Sequence, residues 1–528
     1  MRTDHLRIAQ LLVGCWLLGT AAIAGPYASA AGVLTRGIGN EPDSLDPHQA
    51  IGTSASVVLY DLFEGLVTVD AAGKIAAGCA ESWTLDADGR GIRFTLRPNL
   101  RWSDGVALTA ADFEYSFRRL LAPETAARYA SFMYPLKNAR AVNTGRAPAS
   151  SLGVRAVDAR TLRLDFEQPA LQMLEVLSGI AAAPVPAHAI ARDGRAWTQP
   201  GRMVNNGAFV LAEVVPRASL RVRRNERYRD AATVTLDEVR YVPVEDEGAS
   251  WRRFQSGELQ VAVRFPLDRV DAVRAQAGAR LHRSTGFGSN MLLLNLKDPA
   301  LTDVRLRRAL SLALERDVLA DKILRGSGRP AFSLVPDVIS DYPVPSLADA
   351  ALPAQSRRAL ARELAAAGGA GRPPLRLLYP SDGKSKALAL AMLAMWRAAG
   401  IAVEIQSQDL TSVIAAARSG KYQVALYAWF SSFDDPVTFL DLLANKERGS
   451  LTGYGNAEFD RRLAAANALL DPRARGAGLA AAEALALADY PVIPVFHSVN
   501  LRLVSDRVSG WIDNSRGANL SRFLGLNP

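Results

Sequence analysis

Side chains able to do covalent or metal chemistry are few in this 528-residue chain. Beyond residue 31 it carries four histidines, His48, His188, His282 and His497, and one cysteine, Cys79. None of the histidines lies in an HExxH pattern or near the cysteine, so nothing has the spacing of a structural or catalytic zinc site. No GxSxG nucleophile elbow occurs. Gly383-Lys384-Ser385 has the ending of a phosphate-cradling loop, but Leu378 stands where the first glycine of that loop belongs. Acids are plentiful, yet no pair is singled out for general acid–base work. The expectation is a protein that is not an enzyme and uses neither cofactor nor metal.

The elements that would position a recognition site are easier to read. Trp102-Ser103-Asp104-Gly105 is a turn, since Asp and Gly supply the local hydrogen bond and the permissive backbone of a tight reversal. Thr109 then caps a helix, with Asp112 completing a capping box. Phe113, Phe117, Leu120 and Leu121 give that helix an apolar face, and Arg118 and Arg119 suit its negative end. Alternation predicts strands at 93–96 and 161–166, and a strand group at 209–214, 220–224 and 239–244. Residues 291–296, 424–429 and 491–496 read as short buried strands. Strands at 375–379 and 403–406 flank a helix over 386–399, a βαβ pattern. Residues 343–375, rich in Ala, Pro and Gly, are expected to include an exposed connection. The fold class is α/β.

Length and charge narrow the class. The chain is too long for one core, so two or three lobes are expected. Its net charge of +9 falls to about +8 without residues 1–31, which carry two Arg and one Asp. The basic residues are scattered rather than gathered into a stripe, which argues against a nucleic-acid partner. Residues 1–31 read as a cleavable secretory signal: Arg2 and Arg7, an apolar run, then Ala28-Ser29-Ala30. Leu12-Val13-Gly14-Cys15 offers the competing lipoprotein cleavage. Once the leader is removed, Cys79 has no partner for an intramolecular disulfide. No later run of 18 apolar residues predicts a membrane span.

The string from Trp102 to Ser116, WSDG followed by TAADFEYS, resembles the signature of periplasmic solute-binding proteins that serve peptide and nickel importers of the ABC class (solute-binding protein family 5). Ser44-Leu45-Asp46-Pro47-His48, Asp61-Leu62-Phe63-Glu64-Gly65-Leu66, Ala80-Glu81-Ser82-Trp83, Trp197-Thr198-Gln199-Pro200-Gly201, Asn206-Gly207-Ala208-Phe209, Asp303-Val304-Arg305 and Ile493-Pro494-Val495 follow in that family's order. The resemblance covers nearly everything after residue 33. It implies a periplasmic-binding-protein-like fold with two hinged α/β lobes and an inserted third. The expected division is lobe I at 32–64, 187–296 and 494–528, lobe II at 65–186, and lobe III at 297–493. The implied function is capture of peptides or peptide-like ligands and delivery to the membrane permease of an importer, by a periplasmic monomer. The open alternatives are the same module for a murein fragment, opine, glycoside or chelated metal, a secreted hydrolase, and a holdase.

The resemblance also implies where a ligand sits. Residues 425–436 look like the family's cleft strand and loop, giving Leu426, Ala428, Trp429, Phe430, Ser432 and Asp434 as contacts. Thr53, Tyr129, Asn206 and Ser385 complete the candidate set. By residue type alone Trp429 is equally a core aromatic. Several positions depart from the oligopeptide binders: Ser432 replaces the Asp that holds a ligand's amino terminus, Leu426 an Arg, Leu293 a Glu, and Ser385 stands near a His. A less charged pocket is expected, with Asp434 the only neighbour placed to replace the missing acid, since Asp435 is expected to cap a helix at Pro436.

Overall fold

The computed structural model describes residues 32–266, 269–367, 373–445 and 450–528. The expected leader lies outside the described residues. An eleven-stranded mixed sheet forms the spine. Its row runs 403–408, 375–380, 424–430, 281–294, 492–504, 261–262, 33–38, 238–243, 219–224 and 209–215, with Gly328–Pro330 paired to Val492–Val504 beside the row.

Two long strands make this sheet continuous. Leu281–Leu294 and Val492–Val504 pair antiparallel from Leu281↔Leu503 to Leu293↔Val492, with register shifts between Thr285 and Ser289 and between Asn290 and Met291. The sequence predicts only their apolar halves. The other half of Leu281–Leu294 is polar and interrupted by Gly286 and Gly288, and the other half of Val492–Val504 mixes polar and apolar residues, yet each supplies the ladder its partner needs. Packing changes along both strands. Leu281, Leu501 and Leu503 join Val242, Phe254 and Phe265, whereas Phe287, Met291 and Val492 join Tyr427, Phe439 and Phe459. The expected boundaries at 296/297 and 493/494 fall at the far ends of these strands, and the exchange of core partners falls inside them.

Beyond that exchange the sheet is covered on both faces, as its nearly unbroken apolar strands require. Leu293, Leu378, Ala425 and Tyr427 pack on the side of helices Ala457–Asn467 and Pro472–Asp489. Leu292, Leu377, Val424 and Leu426 pack on the side of helices Val304–Leu312 and Gly383–Ala398. The stretch expected as a connection holds an additional helix, Ala354–Ala367.

The inserted lobe carries its own four-stranded antiparallel sheet, 80–85, 91–96, 161–165 and 154–156. Helix Ala110–Leu121 starts with the expected capping box, the Thr109 amide donating to Asp112 Oδ2 at 2.8 Å. Trp102 Nε1 donates to the other Asp112 oxygen at 3.3 Å, so one carboxylate joins turn and helix. Phe113 and Phe117 enter a core that also holds Leu34, Val58, Leu59, Val222 and Tyr241. Lobes I and II therefore share one apolar core. Phe433 is the residue of the expected lobe III that enters it.

Beside Gly65, where the sequence places the first lobe crossing, lies a buried charge cluster. Glu64 accepts from Tyr228, Arg229 and Arg522 at 2.8, 2.6 and 3.1 Å. Burial pushes its carboxyl up, but Arg522 and Arg229 outweigh that and hold it below the usual range.

Candidate ligand-binding site

Strand Val424–Phe430 leads into the site. On one side it pairs antiparallel with Leu281–Leu294 along its whole length, from Leu294↔Val424 to Gly288↔Phe430. On the other side the parallel partner reaches only Val424 and Ala425. Among the described residues no strand occupies the second side of residues 426–430. That half-paired end presents free main-chain donors and acceptors, the kind of edge an extended peptide can extend. Ala428 and Phe430 are exposed there, Phe430 by 64%. Trp429 is half-buried against the lobe III core, and its Nε1 is buried with no hydrogen-bond partner.

Just beyond the strand, three parts of the chain close an aromatic pocket of about 80 Å³. Helix Thr53–Leu62 gives Ser56 and Tyr60, lobe II gives Tyr129, Phe132, Met133, Val176 and Ile180, and the loop after the strand gives Ser432 and Phe433. Tyr129 stacks on Phe132 with centroids 5.3 Å apart, and Phe132 meets Phe433 edge-on at 5.0 Å. Both geometries are favoured by the ring quadrupoles. The aromatic row joins lobe II to lobe III.

A second cavity of about 400 Å³ lies on the polar side of the same seam, lined among others by Lys74, Glu175, Ser340, Asp434, Asp435, Arg475 and Arg516. Its charges are paired. Arg516 reaches both Glu175 oxygens, and the Asp434 amide donates to Glu175 at 3.0 Å. The Asp434 carboxylate accepts from the Ser340 amide and hydroxyl, each at 2.7 Å. Asp435 forms a buried pair with Arg475 at 2.8 Å and accepts from the amide of Val437 at 2.9 Å. The short helix, Val437–Leu440, has Pro436 at its N-cap, so Asp435 stands one residue ahead of the capping position the sequence assigns to it.

The expected contacts divide accordingly. Tyr129 and Ser432 line the aromatic pocket, and Thr53 is exposed on the first turn of the helix that supplies Ser56 and Tyr60. Ala428, Trp429 and Phe430 lie on the half-paired strand. Asp434 belongs to the polar cavity, where Ser340 engages it. Leu426 points into the core with Leu292 and Leu388. Ser385 is buried in the first turn of helix Gly383–Ala398, its amide capped by Asp382 at 2.9 Å, and lines neither cavity. Asn206 is a staple at the lobe crossing: its side chain accepts from the Glu64 amide at 3.1 Å and donates to the Glu64 carbonyl at 2.8 Å. Its amide is satisfied by main chain, which leaves it unavailable to a cleft ligand. Sequence reasoning passed over Tyr60, Phe132, Phe433, Glu175 and Arg516. Only Phe433 lay inside a segment already under suspicion.

Cys79 is buried, with its thiol pushed up by burial, and no cluster of His, Cys, Asp and Glu able to hold a metal occurs among the described residues. No described helix is long and apolar enough to cross a membrane.

Two bodies joined by continuous strands, with an aromatic pocket and a half-paired strand at their seam, define a hinged binding protein. The sequence profile of the family described as bacterial extracellular solute-binding proteins, family 5, matches residues 74–450, and the chain belongs to that family. It is 33% identical over 499 residues to the periplasmic murein peptide-binding protein MppA of Escherichia coli, covering 93% of this chain and 92% of that one. It is 31% identical to the periplasmic oligopeptide-binding protein OppA of Salmonella typhimurium, covering 93% and 94%, and 31% identical to a probable deoxycholate-binding periplasmic protein of Escherichia coli, covering 89% of each. The unliganded open form of the murein tripeptide-binding protein superposes with a TM-score of 0.85 at 31% identity, covering 94% of this chain and 97% of that one. A second structure of that protein from Escherichia coli gives 0.78, also at 31% identity and covering 94% and 98%.

Proposed function

We propose that this protein captures peptides or peptide-like solutes in the periplasm and hands them to the membrane permease of an ABC importer. The observation that carries the reading is the half-paired strand end at residues 426–430, set beside the aromatic pocket. Such an edge binds an extended main chain regardless of side-chain sequence, and the pocket selects one end. The better superposition on an unliganded open form supports reading this arrangement as the receptive state, which ligand draws toward closure. The first 31 residues act as the export signal, the mature protein works as a monomer, and it turns nothing over. Relatives named for peptide and murein peptide binding, covering nine-tenths of the chain, support the ligand class.

The test is mass spectrometry of small molecules released when the exported, natively purified protein is denatured, followed by calorimetry with what is found. Peptides or peptide-like molecules that bind saturably and return unchanged are the expected outcome. Release of a solute without amide groups overturns the ligand class, and chemical conversion of the bound solute overturns the non-enzymatic reading.

A further inference from the structure

The aromatic pocket at the seam carries no charge. Its lining is Ser, Tyr, Phe, Met, Val, Ile, Ala and Gly, without a single Asp, Glu, Lys, Arg or His. Three acids stand next in sequence to its walls, and none is free. Asp61, beside Tyr60, is taken by the Tyr241 hydroxyl and by the Ser521 amide at 3.0 Å. Glu175, beside Val176, is taken by Arg516 at 2.6 and 2.8 Å and by the Asp434 amide. Asp434, beside Phe433, is taken by the amide and hydroxyl of Ser340, and it faces the other cavity. The residue at the pocket mouth, Ser432, is exposed and offers only a hydroxyl.

An ammonium buried here would lose its water and gain no carboxylate, which is strongly unfavourable. The same walls leave apolar surface uncovered, Phe132 being 38% exposed. At about 80 Å³ the pocket is far below the roughly 300–1,000 Å³ of a whole small-molecule site, so it receives one end group of a longer ligand. Resting on the reading of this seam as a ligand site, we infer that the end of the ligand held between Tyr60, Tyr129, Phe132 and Phe433 is uncharged and apolar. The protein is built for ligands whose leading end is acylated or otherwise lacks a free amine.

Calorimetry with a matched pair of probes tests this: Leu-Ala-Ala-Ala with a free amino terminus and the same peptide acetylated. Wild-type protein should bind the acetylated probe at least about tenfold more tightly. Ser432→Asp, at an exposed position, should reverse the order by supplying the missing carboxylate. Phe132→Ala, also at an exposed position, should weaken the acetylated probe about tenfold and leave the free probe little changed. Equal or tighter wild-type binding of the free-amine probe overturns the apolar end, while the capture of peptides stands. Binding of neither probe by wild type or by Ser432→Asp overturns the peptide reading together with the inference that rests on it.

Discussion

Glu175 and Arg516 are 341 positions apart in sequence, and their side chains meet at 2.6 Å with both groups nearly out of solvent. Arg516 also donates to the Gly73 carbonyl at 2.6 Å and lies over the Phe287 ring. Because the Asp434 amide donates to the same Glu175 oxygen, one carboxylate joins the inserted lobe, the C-terminal segment and the loop that ends the cleft strand. Removing one member of a buried pair leaves the other charge uncompensated. Glu175→Ala should therefore cost about 3–5 kcal/mol of stability in urea unfolding. A loss under about 1 kcal/mol would show that solvent reaches Arg516 and that the pair does not hold the seam.

Trp429 is placed both ways at once. Its ring packs on the lobe III core, and its strand position lies at the open cleft. The buried, unpartnered Nε1 separates the two contributions. Trp429→Phe removes that orphan donor and keeps most of the apolar area, so the melting temperature of the ligand-free protein should hold or rise. Trp429→Ala should lower it, with a cavity cost of about 3–5 kcal/mol. A Phe variant as unstable as the Ala variant would mean that the indole N–H has a partner after all.

Gly288 sits where the crossing strand changes core partners. A Cβ there would come within 2.7 Å of both the Phe430 ring and the Ser498 hydroxyl, and one on Gly286 within 2.9 Å of Asn500. This stretch is expected to be the pivot on which the lobes close. X-ray scattering of the wild type with its co-purified ligand should show a smaller radius than the ligand-free protein. Gly288→Ala should reduce that contraction and weaken binding. A full contraction in the variant would place the pivot elsewhere.

Glu483 gives a pH dependence of known sign. It is fully buried, accepts from Tyr342 and from the Leu334 and Val335 amides, and burial outweighs those hydrogen bonds to push its carboxyl up to about 7. Between its ordinary value of 4.5 and about 7 the unfolded chain releases a proton that the native protein keeps, so this group's stability contribution falls as pH rises through that window. His48 and His497, held neutral by burial at about 4, act in the opposite sense: their contribution is lost as pH falls through 6.5 toward 4. The total slope mixes the two, and a mutant difference isolates Glu483. Relative to Glu483→Gln, the wild type should lose on the order of 3 kcal/mol between pH 4.5 and 7.5 in denaturant unfolding. A constant difference would mean that the native carboxylate is ionised throughout.

What was legible in the sequence was local. The capping box at Thr109 and Asp112 and the apolar run of the cleft strand each concern a handful of adjacent residues, and each forms as read. The polar half of Leu281–Leu294 was not legible, because a strand rich in Gly, Ser and Thr shows its character only when its partner is known. The aromatic row of Tyr129, Phe132 and Phe433 joins residues about three hundred positions apart, and no period or spacing announces such a meeting. Asp434 illustrates the same limit. Its position beside the cleft strand suggested a ligand anchor, and the partner that engages it, Ser340, lies in a loop with no pattern of its own.

The two unbroken strands that run through both bodies bear on the speed of capture as well as on shape. Lobes tethered by a single flexible linker would have to find one another after a solute had landed on either. Here the opposing walls are held near one another at a high effective concentration, and most of the orientational search is completed during folding. Under the proposed function, a solute settled on the half-paired strand would meet the second wall through a small rotation rather than a diffusive encounter. Dissociation, which requires that rotation to reverse, then becomes the step through which changes in the walls tune residence time.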